Sequence, residues 1–128
     1  IKIQNTKYIL DAYNANPTSM IAALESFDKK KSLNKVVILG DMMELGSSSV
    51  KEHEHILNLS LRLSFEKIII IGAHFNSSIL EDERILKFKN LDTFRKTINH
   101  SNWNYDHVLI KGSRALKLED LIPFFKSL

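Results

Sequence analysis

Apolar positions along this chain follow two periods that take turns. Val36-Val37-Ile38-Leu39 is an unbroken apolar run stopped by Gly40, and Lys67 to Ile71 carries another in Ile68 to Ile71, stopped by Gly72. Runs of this length with turn residues at the end predict strands buried on both faces. Tyr8-Ile9-Leu10, ending at Asp11, and Val108-Leu109-Ile110, leading into Lys111-Gly112-Ser113, predict two more. Elsewhere the spacing is helical. Met20, Ala23, Leu24 and Phe27 recur at i, i+3, i+4 and i+7, behind Asn16 as N-cap and Pro17 at the first helical position. Lys29 to Lys31 put positive charge at the carboxyl end of that helix, where the dipole favours it. Ile56, Leu59 and Leu63, widened by Leu57 and Leu61, predict a second helix from about Ser49 to Ser64. Phe94 and Ile98 predict a short one opening near Asp92. A last helix is expected from about Leu116 to Phe125. Pro123 falls inside it, so it is either kinked or starts late.

Strands that alternate with helices and are apolar on both faces imply an α/β fold: a Rossmann-like, three-layer domain with a mostly parallel sheet and helices on both faces. Residues 1–128 fit a single domain, with no repeat, linker or low-complexity stretch to mark a boundary. The longest apolar run, Ile68 to Ile71, is far short of the ~20 residues of a membrane-spanning helix. There is no cysteine, which excludes disulfides and thiolate chemistry and suits a reducing cytoplasm, the expected location. The chain opens on Ile1 rather than Met, as a piece of something longer would. A net charge of +3 raises the question of nucleic acid. The basic residues are dispersed, however, and only Phe88 and Phe94 lie near them, so no stacking pattern emerges.

In open parallel sheets, ligands gather beyond the carboxyl ends of the strands. The polar residues at those ends are Asp11 with Tyr13, Asn14 and Asn16; Asp41 with Glu44; His74; and Lys111 with Ser113 and Arg114. An acid and amides at one end, with two cations at another, would suit a nucleotide or a carboxylate. A phosphate loop of the form G-x-x-x-x-G-K-[ST] is missing: Gly40 and Gly46 are separated by five residues, and Ser47 stands where Lys is required. His53-Glu54-His55 suggests a metal, but residues two apart on a helix point roughly 200° away from each other and cannot share an ion. One of the pair is expected to pack and the other to be solvated, and no metal site is assigned. Asp41 and Glu44 could hold a cation or could serve a helix dipole.

The same strand ends carry a family resemblance. Asp11-Ala12-Tyr13-Asn14-Ala15-Asn16-Pro17-Thr18-Ser19-Met20 resembles the D-x-Y-N-A-N-P-x-S-M signature of the Mur ligases. Leu39-Gly40-Asp41-Met42-Met43-Glu44-Leu45-Gly46 is similar to their L-G-D-M-x-E-L-G, with His53 at a spacing where the family often has His. Lys111-Gly112-Ser113-Arg114-Ala115 is similar to K-G-S-R-A. The three motifs stand in the family's order and most resemble the branch that adds D-Ala-D-Ala to UDP-N-acetylmuramoyl-tripeptide in peptidoglycan precursor synthesis. The family fold has an N-terminal domain for the UDP end, a central ATPase and a C-terminal Rossmann-like domain, and this chain resembles the third.

The resemblance implies a reaction that uses ATP and Mg2+, with the phosphate loop and the metal ligands in the central domain. The precursor carboxylate is phosphorylated, and the amine of D-Ala-D-Ala attacks the acyl phosphate. Asp11, Tyr13, Asn14 and Asn16 would then meet ATP, Asp11 through its ribose, once this domain closes on the central one. The two asparagines have competing roles: Asn16 as the cap of the first helix and Asn14 as a residue that shapes the turn. Asp41, Glu44, His53, Lys111, Ser113 and Arg114 would lie on the substrate side, with Lys111 and Arg114 facing the dipeptide or the phosphate charge; as an alternative, both are surface cations. No residue of this chain is expected to be catalytic by itself, and the isolated domain is expected to be inactive. One departure is Leu10-Asp11-Ala12, where many relatives carry two acids and a Ser. A rival class is a stand-alone receiver-like signalling or ligand-binding module, in which Lys111 would serve a phosphoacceptor acid. Such modules need an acidic pair after the first strand, and only Asp11 is there.

Overall fold

The computed structural model describes residues 1–32 and 34–128. The strands are β1 (Lys2–Ile3), β2 (Thr6–Asp11), β3 (Lys35–Gly40), β4 (Lys67–Ile71), β5 (Ile85–Phe88) and β6 (His107–Lys111). The helices are α1 (Pro17–Asp28), α2 (Ser49–Arg62), α3 (Ala73–Asn76), α4 (Leu91–Thr97) and α5 (Leu121–Ser127), with single 3-10 turns at Gly46–Ser48, Arg114–Leu116 and Leu118–Asp120. The strands form one sheet in the order β1-β2-β6-β3-β4-β5. Only β1 is antiparallel, so the fold is α/β with a mostly parallel sheet.

Alternate residues of the central strands point to opposite layers, and each layer has its own helices. Val37, Leu39, Ile68 and Ile70 pack with Met20, Leu24 and Phe27 of α1, Ile56 and Leu57 of α2, and Phe75 of α3. Val36, Ile38, Ile69, Ile71, Val108 and Ile110 pack on the other side with Phe94 of α4, Trp103, and Leu121 and Phe125 of α5. This division explains why β3 and β4 read as unbroken apolar runs: neither face meets water. The second layer is knitted by aromatics, with Phe125 stacked on Tyr8 and on Trp103 and the Trp103 indole N–H donating to the Tyr8 hydroxyl (2.9 Å).

Five elements either decide between the expected alternatives or depart from the expected pattern. The C-terminal helix starts late, at Leu121, after two 3-10 turns, and Pro123 lies in its first turn, where no intrahelical donor is lost and no kink is needed. Strands β1 and β5 and the single-turn α3 have no clear periodicity. Strand β5 follows four charged residues, Glu81 to Arg84, and carries Lys87 in its short length. The charge that meets the carboxyl end of α1 is the buried Lys35, whose ammonium donates to the Asp28 (2.6 Å) and Lys30 (3.0 Å) carbonyls. Lys29 forms the C-cap through its backbone, and Lys30 and Lys31 lie past it, exposed.

Candidate functional site

The chain runs from β2 to β3, β4 and β5 with α1, α2 and α3 on one face, then returns through α4 on the other face to insert β6 between β2 and β3. The loops after β2 and β3 therefore lead to one layer, while the loop after β6 leads to the other. A crevice opens where they diverge, the usual place for a ligand in an open α/β sheet. The three motifs of the sequence are those three loops.

They are tied together by specific contacts. Asp11 and Lys111 are register partners at the ends of β2 and β6, and the Lys111 ammonium donates to Asp11 Oδ2 at 2.6 Å and to the Asn14 carbonyl at 3.1 Å. Lys111 is buried and the Asp11 side chain is 46% exposed, so the cation is internal while the carboxylate still faces solvent. The Ser113 amide donates to the Asp41 carbonyl (3.0 Å), joining the third loop to the second. Gly40 and Gly112 touch: a Cβ on Gly112 would come within 2.8 Å of the Gly40 Cα and 2.6 Å of Leu118. Both motifs need glycine there because two backbones and a leucine fill the space.

The loop after β3 is held rigidly. Asp41 is 2% exposed and accepts from the His74 amide with Oδ2 and from the Phe75 amide with Oδ1, both at 2.9 Å. Its carboxylate thus satisfies the start of α3. Gly72 (φ +121) must lack a side chain because a Cβ would fall 2.3 Å from that carboxylate. The Met42 amide donates to His53 Nε2 at 3.0 Å, and His53 Nδ1 lies 2.7 Å from the Ser49 carbonyl. Nε2 accepts, so the ring proton sits on Nδ1 and donates to Ser49, which makes the imidazole neutral. Burial pushes the His53 pKa down, with a smaller push from His74; the bond to Ser49 and the charges of Asp41 and Glu52 oppose it. His55 is exposed on the other side of α2. Beyond Met42, Glu44 adopts a left-handed backbone (φ 63), which costs a side-chain-bearing residue about 1 kcal/mol.

Tyr13 to Ala15, Met43 with Glu44, and Ser113 to Ala115 line a concavity of about 240 Å3. A second, of about 260 Å3, lies beside it against Leu10, Ala12 and Glu119. Tyr13 and Arg114 border both, the guanidinium carbon 5.3 Å from the ring centroid. Ser113 is buried, and its hydroxyl has no hydrogen-bond partner. Asn16 stands at the edge and caps α1, its side chain accepting from the Ser19 amide at 2.9 Å while Ser19 Oγ accepts from the Asn16 amide.

The structure thus brings Tyr13, Asn14, Glu44, Ser113 and Arg114 to one surface, with Asp11 and Lys111 behind them. Asn16, Asp41 and His53 are engaged in framework contacts around it. Met43 and Ala15 also line the concavity, and only their position inside the motifs could have pointed to them. As for Mg2+, among the described residues no three His, Asp or Glu side chains converge, and both Asp41 oxygens are occupied by amides, so this donor set does not fit a metal. For a nucleotide the fit is better: an exposed aromatic ring lines the concavity, a half-exposed carboxylate stands behind it, and a buried hydroxyl there has no partner.

An α/β domain with its polar loops gathered at a parallel-sheet switch point belongs to the class that binds ligands at strand ends. Residues 1–114 match the family described as Mur ligase, glutamate ligase domain. The chain belongs to the Mur ligase family, as its C-terminal domain, and is closely related to the UDP-N-acetylmuramoyl-tripeptide–D-alanyl-D-alanine ligases. The ligase of that name from Rickettsia prowazekii is 35% identical across 98% of this chain, and the one from Treponema pallidum 32% across 93%. MurF from Acinetobacter baumannii superposes on all of the chain with a TM-score of 0.83 at 27% identity. The chain spans 29% of the length of the Rickettsia ligase and 29% of the Acinetobacter chain.

Proposed function

We propose that this chain is the C-terminal domain of an ATP-dependent ligase that adds D-Ala-D-Ala to UDP-N-acetylmuramoyl-tripeptide. In this reading it is one wall of the site and closes on a central ATPase domain that holds the phosphate loop and the Mg2+ ligands. The observation that carries it is the convergence of three family motifs on one crevice, bound to one another through Asp11–Lys111 and Ser113–Asp41.

ATP would supply the phosphoryl group that activates the precursor carboxylate; this chain supplies orientation. Asp11 is turned outward and fixed by Lys111, so it can accept from ribose hydroxyls without being free to swing. Tyr13 and Asn14 offer a ring face and an amide beside it. Arg114 carries an exposed guanidinium, whose planar fork suits the carboxylate of the incoming dipeptide. Ser113 Oγ, buried and unpaired, has its donor and acceptor free for a bound group. Asp41, His53 and Asn16 act by holding the backbone that presents these groups. Closure would exclude water and bring the two walls together, as in other enzymes whose lids complete the site.

The test is product formation by the full-length protein. ATP, the tripeptide precursor and D-Ala-D-Ala should give a new amide and stoichiometric phosphate. Arg114→Ala should lower kcat/KM for the dipeptide by roughly 10- to 100-fold, the loss of a charge-assisted contact. Unchanged dipeptide kinetics would remove Arg114 from that role, and no dipeptide-dependent amide would end the ligase reading.

A further inference from the structure

We infer that His53 is a positioning residue of this site, its neutral imidazole holding Met42 so that Met43 and Glu44 form one rim of the concavity, and that acid releases this rim. The inference rests on the ligase reading for its catalytic consequence, but the clamp itself is visible in the chain alone.

The segment from Asp41 to Leu45 belongs to no helix or strand, and Glu44 (φ 63) within it and Gly46 (φ 58) just after it have left-handed backbones. A left-handed residue with a side chain persists only where its surroundings over-determine it. Here the Leu45 carbonyl after Glu44 accepts from the Ser48 amide and hydroxyl, and the remaining restraints precede Glu44. Asp41 is held through its carboxylate by α3 and through its carbonyl by Ser113, and Met42 is held through its amide by His53. His53 is itself held: its Nδ1–H donates to Ser49 one helical turn back, its ring stacks on His74 at 5.4 Å, and Phe75 meets it edge-on at 4.6 Å. The ring cannot rotate away, and its only role toward the loop is as an acceptor at Nε2.

An acceptor nitrogen is lost on protonation. An imidazolium would present a second N–H to the Met42 N–H, so the charged ring and the observed loop exclude one another. The charged groups around His53 come from three elements: Asp41 from the loop after β3, His74 from α3, and Glu52 from its own helix. The two carboxylates favour the cation and His74 opposes it. Burial outweighs both and keeps the ring neutral at neutral pH. Protonation would therefore release Met42 first, then the residues that depend on it, Met43 and Glu44.

Nitrogen-15 spectra of the histidine rings, recorded from pH 8 to 4.5 on the whole chain, test the clamp. The expected result is a neutral Nδ1–H tautomer for His53, titrating below an ordinary histidine, with the amides of Met42 to Glu44 shifting along the same curve. A proton on Nε2 at neutral pH, or Met42 and Glu44 amides that do not follow His53, would overturn it. Function is tested in the full-length ligase with two variants. His53→Phe keeps the ring but removes the acceptor, and should raise KM for nucleotide or dipeptide about tenfold, the effect of one buried amide left unpaired. His53→Gln keeps an acceptor and should recover most of that loss while flattening the acid limb of the kcat/KM profile. Wild-type kinetics in His53→Phe would overturn the positioning role. If the wild-type protein forms no amide at all, the ligase reading fails, and the spectra still decide whether His53 clamps the rim.

Discussion

Lys111 reaches Asp11 across one hundred residues of sequence because β6 is inserted beside β2, and this pair fixes what the first motif can do. An ammonium that is almost wholly buried needs compensation, and here it has a carboxylate and one carbonyl. Asp11→Ala should therefore cost stability as well as any nucleotide contact. Because the carboxylate is half-exposed and water could replace part of it, about 2 kcal/mol is expected. A denaturant titration measures it; an unchanged midpoint would mean the pair is not formed in solution. Histidine sets the acid limit. Burial lowers the pKa of His53, and burial with Lys30 and Lys7 lowers that of His107. A depressed folded value means that the unfolded chain binds more protons below about pH 6.5, so the contribution is full above that value and is lost as pH falls through the folded pKa. The histidine contribution should be flat from pH 7 upward, and stability should fall toward pH 5, with a shallower fall in His53→Gln. An equal slope in both proteins would show that His53 is not the group responsible. Sequence reading reached the types and spacing of Asp11, Lys111 and His53, and not His107. Their partners depend on strand order, and no local pattern encodes that β6 lies next to β2.

At the scale of elements, legibility followed burial. Strands β3, β4 and β6 are apolar because both faces are covered, and α1 declares itself through its cap, its proline and its stripe. Strand β5 sits at the sheet edge with intermediate burial, so its four residues carry a weak pattern behind a charged run; β1 has two residues and exists through pairing with β2. The cap of α1 illustrates a residue with two candidate roles. Asn16 satisfies the helix start through its side-chain oxygen, so Asn16→Ala should cost about 1 kcal/mol, roughly 4 °C in Tm, independent of any nucleotide. A Tm unchanged by the substitution would argue against the cap. Gly112 poses the opposite problem, since nothing is gained from its hydrogen bonds alone. Its neighbours are the Gly40 backbone and Leu118, and a methyl group there must part β6 from β3 or displace the leucine. Gly112→Ala should destabilise by about 2 kcal/mol and shift the amide resonances of both strand ends. Little perturbation at Gly40 would mean that the strands approach less closely than described.

On the scale of the whole molecule, the proposed ligase reading makes this surface one wall of a site. Ligand sites that enclose a small molecule run to roughly 300–1,000 Å3 and bury most of it. The two concavities here, about 240 and 260 Å3, are open and separated by the Tyr13–Arg114 contact. A nucleotide laid on them would meet Asp11, Tyr13 and Asn14 on one side and water on the other. Its phosphates would find no loop of backbone amides, because no G-x-x-x-x-G-K-[ST] sequence occurs in the chain. Affinity should then be weak, on the order of millimolar, which corresponds to only about 4 kcal/mol. With no phosphate loop in the sequence and no metal-binding set among the described residues, Arg114 is left to meet the charge of phosphoryl transfer largely alone. The chain alone should therefore release no phosphate from ATP, with or without Mg2+, at rates above a blank. Phosphate release that persists in Asp11→Ala would point to a second, self-contained nucleotide site and undo the division of labour between two walls. Release that appears only when a central ATPase domain is joined to the chain, and that falls in Asp11→Ala, is what two incomplete surfaces making one site would give.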